Sequence, residues 1–285
     1  MRSRYIMALV IASSTWTSTA AAPQKERCGT RLPGVEEIAQ IEQQVARAKG
    51  KKLATDTTIP VWFHVIDKGA GFANGRVSDS MIRAQVRVLN DSFGGNTGGA
   101  ASGFAFELAG VTRTTNQTWF ESIATDLDVE LQAKQLLHRG GPETLNIYTV
   151  DGGPFLGFAY FPSVLTEPQL AALDGVVVDW RTLPGGTFDI YSEGDTATHE
   201  VGHWLALFHT FDGKCGSKGD SVSDTPSEFA PAFNCPVGRD SCQSKPGLDP
   251  IFNFMDYTQD SCMFEFTQGQ VDRMHAAWAA FRSGE

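Results

Sequence analysis

Residues 198–211 read THEVGHWLALFHTF, placing three histidines and one glutamate in an otherwise apolar run. Residues four apart on a helix lie one above the other, so His199 and His203 point the same way and can hold one metal ion between them. His209 follows six residues later. Continued helix would rotate it by about 600°, away from the pair. A fold that uses all three must therefore end this helix and turn sharply before His209.

Glu200 lies on an adjacent part of the same face, close enough to reach a water on the ion without ligating the ion itself. That is the placement of a general base. Zinc held by three protein ligands keeps a fourth position for water and lowers its pKa to about 7. Glu200 then takes the proton as the water attacks a peptide carbonyl and returns it to the leaving amine. Two blander readings exist: core histidines satisfied by hydrogen bonds, and a closed structural zinc site. Three histidines at these spacings disfavour the first, and the otherwise unexplained Glu200 disfavours the second.

The 285 residues are 41% hydrophobic, enough for a real core, and the net charge of −10, with no Lys/Arg cluster beyond KGKK at 49–52, argues against a nucleic-acid surface. Residues 1–22 combine Arg2 and Arg4, an apolar stretch and a small-residue end at Ala20 to Ala22, the pattern of a secretory signal peptide. No later stretch has transmembrane length, so the mature chain is expected to be extracellular and free of the membrane. In an oxidising compartment cysteines pair. Cys215, Cys235, Cys242 and Cys262 allow three pairings into two bridges, and Cys28 is left over.

From Pro33 a helix is expected, with Val35, Ile38, Ile41 and Val45 on one face, ending in a polar, cuttable segment over 47–57. Strands are expected at 59–66, from Gly103, from Thr144 and at 176–178. Helices should begin at Ser78 and span 126–139. The alternation suggests a mixed, largely parallel sheet. Residues 211–249 are rich in Gly, Ser, Asp, Pro and Cys and depend on bridges more than on regular structure. Thr267 and Gln270 form a capping-box pattern for a terminal helix whose inner face carries Val271, Met274, Trp278 and Phe281.

THEVGHWL, DSVSDTP at 220–226, NFMDY at 253–257 with Cys262 after it, FTQGQ leading to a helix with Arg273-Met274, and LGFAYFP at 156–162 together resemble the pappalysin family of secreted zinc metallopeptidases, in the metzincin clan. The resemblance implies an α+β, zincin-like fold: a twisted mixed sheet with helices above, an irregular disulfide-braced half below, and a C-terminal helix. It implies zinc on His199, His203 and His209, Glu200 as base, Met255 as an apolar floor, and Tyr257 lending its hydroxyl to the zinc or the oxyanion. It implies bridges Cys215 to Cys242 and Cys235 to Cys262, and calcium at Asp220, Asp224 and Glu228. Protein or peptide substrates would add to the edge strand around FLGFAYF. Asp260 would lie near the pocket for the residue after the cut and favour a basic side chain. A monomer is expected.

The implied parts are a signal peptide (1–22), a propeptide (23–52) and a catalytic domain (53–285) divided into upper (53–209) and lower (210–285) halves. Cys28, in the propeptide, would occupy the position that water needs and keep a zymogen inactive, as some members of the clan do. One departure stands out. Metzincins place glycine three residues after the second histidine, and here Ala206 stands there. The rival reading is a catalytically impaired secreted peptide-binding protein on the same scaffold, its turn spoiled by Ala206.

Overall fold

The computed structural model describes residues 25–50, 57–216 and 218–283. The expected signal peptide and the expected end of the propeptide at residue 52 lie outside them. Helix α1 (Val35–Ala48) is followed by β1 (Thr57–Asp67), α2 (Asp79–Phe93), β2 (Phe104–Thr115), the short α3 (Gln117–Ser122), α4 (Leu127–Leu137), β3 (Leu145–Val150), β4 (Gly157–Ala159), β5 (Val176–Asp179), α5 (Asp195–Trp204) and α6 (Gln268–Phe281).

The strands form one sheet in the order β2-β1-β3-β5-β4. β2, β1, β3 and β5 run parallel, and β4 closes the edge antiparallel to β5. This is the mixed, largely parallel sheet of an α+β, zincin-like fold. Parallel neighbours need crossovers: α2 lies between β1 and β2, α3 and α4 between β2 and β3, and the connection from β3 to β5 runs through β4. β1 buries Ile59, Val61, Phe63 and Val65 completely through its two-residue period, and α2 and α5 pack against each other beneath the sheet's residues. Ser78 caps α2 through Met81 N, and Thr267 and Gln270 make the expected capping box on α6.

Helix α1 lies on α6, burying Ile41 and Val45 in a small cluster with Phe161, Phe208, Ala276 and Ala277. Val35, expected on that face, is 86% exposed, because the helix docks through its later turns. Beyond residue 210, regular structure is sparse until α6. Cys215 is bridged to Cys242 and Cys235 to Cys262, each across a sequence separation of 27. Closing loops of that length stabilises the folded chain by about 3.5 kcal/mol each in the chain-entropy account.

His64 shows what a core histidine looks like in this chain. It is fully buried on β1, with Nδ1 on Thr112 Oγ1 (2.8 Å) and Nε2 on Asn146 Oδ1 (2.9 Å). Burial lowers its pKa from 6.5 to about 4. The unfolded chain therefore takes up a proton between those values that the folded chain refuses. Stability should fall as pH drops through that window, by about 3 kcal/mol for this group, and level off below it. Replacing His64 with Gln should flatten the dependence of unfolding free energy on pH there; an unchanged slope would assign the acid sensitivity elsewhere.

Candidate metal centre

Every residue of α5 is buried, as befits a helix walled on all sides. Its end is a Schellman turn: Leu207 N donates to Gly202 O (2.9 Å) and Ala206 N to His203 O (2.8 Å), with Ala206 in the left-handed position at φ 70°. An alanine there costs on the order of 1 kcal/mol relative to glycine, and the packed surroundings absorb it. The helix stops, the chain reverses, and His209 returns toward His199 and His203.

The three rings converge. His203 Nε2 lies 3.2 Å from His199 Nε2 and 3.0 Å from His209 Nε2. Each Nδ1 faces an oxygen: Phe254 O at 2.6 Å for His199, Leu207 O at 2.8 Å for His203, and Asp212 Oδ2 at 3.1 Å for His209. Those acceptors assign the ring proton to Nδ1 and leave three Nε2 lone pairs pointing at one another. Lone pairs so crowded repel unless a cation sits among them. Burial, then the neighbouring rings, hold His199 and His203 well below the usual imidazole range, so both stay neutral, as metal ligands must. The donor set thus fits a zinc ion.

The fourth converging atom is Cys28 Sγ. It lies 3.6 Å from His203 Nε2, and all four donor atoms lie within 4.8 Å of one another. Glu200 is fully buried beside them; its Oε2 accepts from Thr30 Oγ1 (2.8 Å) and from Cys28 Sγ (3.5 Å), and its Oε1 has no partner among the described residues. Burial pushes its carboxyl up to about 8. Tyr257 Oη stands 3.3 Å from His209 Nε2, and burial raises its phenol, so the group remains a hydrogen-bond donor.

Met255 is fully buried beneath the histidines' helix. A Cβ on Gly202 would come within 2.3 Å of its Sδ, so the glycine between Val201 and His203 is what admits the thioether. The methionine turn is held by Asn253, whose Oδ1 accepts from Met255 N and from Gln270 Nε2 (both 3.0 Å). Gln270 is also the capping-box residue of α6, so one side chain starts that helix and anchors the turn.

Residues 25–30 cross this centre along β4. Gly29 N donates to Gly157 O (2.8 Å), Leu156 N to Glu26 O (2.9 Å), and Ala159 N to Thr30 Oγ1 (2.8 Å). Lys25 pairs with Asp151 and Asp179. Arg27, almost fully buried, puts Nη1 2.7 Å from Asp260 Oδ1 and lies over the Tyr191 ring. The edge expected for an extended peptide is therefore occupied by the chain's own N-terminal segment.

Sequence reading missed Thr30, Arg27, Asp212 and Gly202. Only Gly202, between the paired histidines, carried a local signal. Among the described residues, Asp220, Asp224 and Glu228 are not among the side chains that cluster as potential metal ligands. Asp224 accepts from Thr267 Oγ1 and Gly269 N at the start of α6, Glu228 pairs with Arg239 and Thr210, and Asp220 accepts from Val222 N.

Comparison with known proteins follows the same lines. Residues 154–279 match the family described as Pregnancy-associated plasma protein-A, Peptidase_M43. An extracellular metalloprotease of Colletotrichum graminicola is 41% identical, over 96% of this chain and 97% of its own. Extracellular metalloprotease 1 of Coccidioides posadasii is 40% identical, over 97% and 98%. Among solved structures, a mutant of promirolysin from Tannerella forsythia superposes with a TM-score of 0.76 at 29% identity, covering 91% of this chain and 95% of its own. Mature mirolysin from the same organism, in complex with a cleaved peptide, gives 0.68 at 30% identity, covering 81% and 97%.

Proposed function

The chain belongs to the pappalysin family of zinc metalloproteases, and from that premise we propose that it is a secreted endopeptidase made as a zymogen, with His199, His203 and His209 holding zinc and Glu200 as general base. The observation that carries the reading is the convergence of three Nε2 atoms whose Nδ1 atoms all face oxygen acceptors. Secretion is supported by the names of the relatives, and among the described residues no helix is long and apolar enough to cross a membrane.

When bound, zinc supplies the Lewis acidity that makes water nucleophilic near neutral pH and polarises a peptide carbonyl. Glu200 Oε1, buried and unpartnered, accepts the proton of the attacking water and later delivers it to the leaving nitrogen. The Tyr257 hydroxyl donates to the developing oxyanion. Met255 fills the space under the ligand rings and keeps water out from below. β4 offers its free peptide groups to a substrate once residues 26–30 leave. Asp260, now holding Arg27, would receive the basic side chain of the residue after the cut.

The zymogen reading rests on Cys28 Sγ standing where a fourth ligand belongs, within a segment, 23–52, assigned as propeptide ahead of the catalytic domain at 53–285. Coverage falls from 91% with promirolysin to 81% with the mature form, a loss of the size of that segment. The rival reading, a peptide-binding protein disabled at its turn, is not favoured, because Ala206 adopts the left-handed conformation and His209 reaches the cluster.

The direct test is casein hydrolysis by the processed protein. A strong chelator should abolish it, and added zinc should restore it with one ion per chain. Hydrolysis that continues in metal-free protein would end the proposal.

A further inference from the structure

Arg273, in the Arg273-Met274 pair of α6, has no part in the chemistry described above, yet its side chain is only 5% exposed and points at the turn before His209. Its Nε donates to Ala206 O at 2.8 Å, its guanidinium lies 4.7 Å from the centre of the Phe208 ring, and its Nη2 is held by Glu42 of α1 at 2.7 Å. Ala206 is wholly buried. We propose that Arg273 is a positioning residue for the third zinc donor, clamping by its Ala206 contact a left-handed turn that alanine makes unfavourable.

The argument is one of differential contacts. Swinging Ala206 from φ 70° to a helical value would flip the peptide that joins it to Leu207 and turn its carbonyl away from Arg273. The hydrogen bond is made in one state and lost in the other, so it shifts the equilibrium toward the turn. The same flip would bury the Ala206 carbonyl and the Arg273 Nε–H without each other, which adds to the bias. Phe208, under the guanidinium, and His209 follow directly, so the position of the third ring depends on the clamp. Glycine at 206 would adopt the left-handed state freely and would not need it. α6 thus secures the site twice, its Gln270 holding the methionine turn and its Arg273 holding the turn to His209.

The inference rests on His209 being a zinc donor, and the test separates the two. Full-length protein is loaded with Co²⁺ as a spectroscopic probe and, separately, with Zn²⁺ for chelator competition, using Arg273→Gln, Ala206→Gly, the double variant, Glu42→Gln and His209→Ala. Arg273→Gln should weaken metal retention ten- to hundredfold and alter the visible Co²⁺ spectrum, as loss of a support behind a ligand does. In the Ala206→Gly background the same substitution should cost no more than a few-fold and leave the spectrum as in wild type. Glu42→Gln should leave retention near wild type.

Equal losses in both backgrounds, or a Glu42→Gln loss as large as that of Arg273→Gln, would reduce Arg273 to an ordinary helix anchor. Unchanged metal retention in His209→Ala would remove the zinc reading itself and this inference with it. Should Arg273→Gln yield no soluble protein, Arg273→Lys carries the comparison, since lysine keeps the charge but cannot reproduce the Nε contact.

Discussion

Replacing Glu200 with Gln should leave a folded protein that binds one zinc ion per chain and cleaves peptides about a thousandfold more slowly or worse, in the middle of the range that general acid–base catalysis supplies or above it. The side chain is almost isosteric, and its Oε2 contact with Thr30 Oγ1 (2.8 Å) can be kept by the amide oxygen. What the amide cannot do is accept a proton at the position of Oε1. Folding should not suffer, because a buried carboxyl with an unpartnered oxygen favours the native state little, and the thermal midpoint should be no lower than wild type. Turnover at the wild-type rate in the metal-loaded variant would show that another group moves the proton.

The second large effect is expected at Cys28. The residue is 5% exposed, its Sγ lies 3.6 Å from His203 Nε2, and the segment around it is tied down independently by Lys25, Arg27 and Thr30. Cys28→Ser therefore removes the proposed fourth ligand atom and leaves the anchors in place. Losing a metal–sulfur contact worth even about 3 kcal/mol would raise the fraction of precursor with an open site roughly a hundredfold. The variant precursor should hydrolyse a fluorogenic peptide at a correspondingly higher rate and cut itself earlier in the polar stretch after α1, with N-terminal sequencing locating the cut. A precursor as silent as wild type would show that Arg27 and Thr30 block the cleft by themselves and that the thiol is incidental.

Much of the scaffold was legible because its determinants are local. The β-branched and aromatic run of β1, the Ser78 cap of α2 and the Thr267–Gln270 box of α6 each act within a few residues, and each forms as expected. The pairing of His199 with His203, and the need for a turn before His209, follow from helix geometry. α3 escaped notice because it is short and its signal is a single Asn116 cap. Val35 was misplaced because periodicity shows which face is apolar but not how far the neighbouring helix extends.

The contacts that shape the centre are of another kind. Arg27 meets Asp260 across 233 positions, Cys28 meets His203 across 175, and Arg273 meets Ala206 across 67. Nothing periodic links such partners, and the residue types involved are common enough to be silent alone. What the chain's own letters determined is the chemistry: which side chains can hold a metal, and that two of them share a helical face. Only the tertiary structure decided that the third would arrive through a left-handed alanine, that Arg273 would meet that turn, and that Arg27 and Thr30 would flank the cysteine expected there. The reason is physical: spacing along a helix is set by the backbone, whereas an encounter between distant segments is set by how the whole core packs.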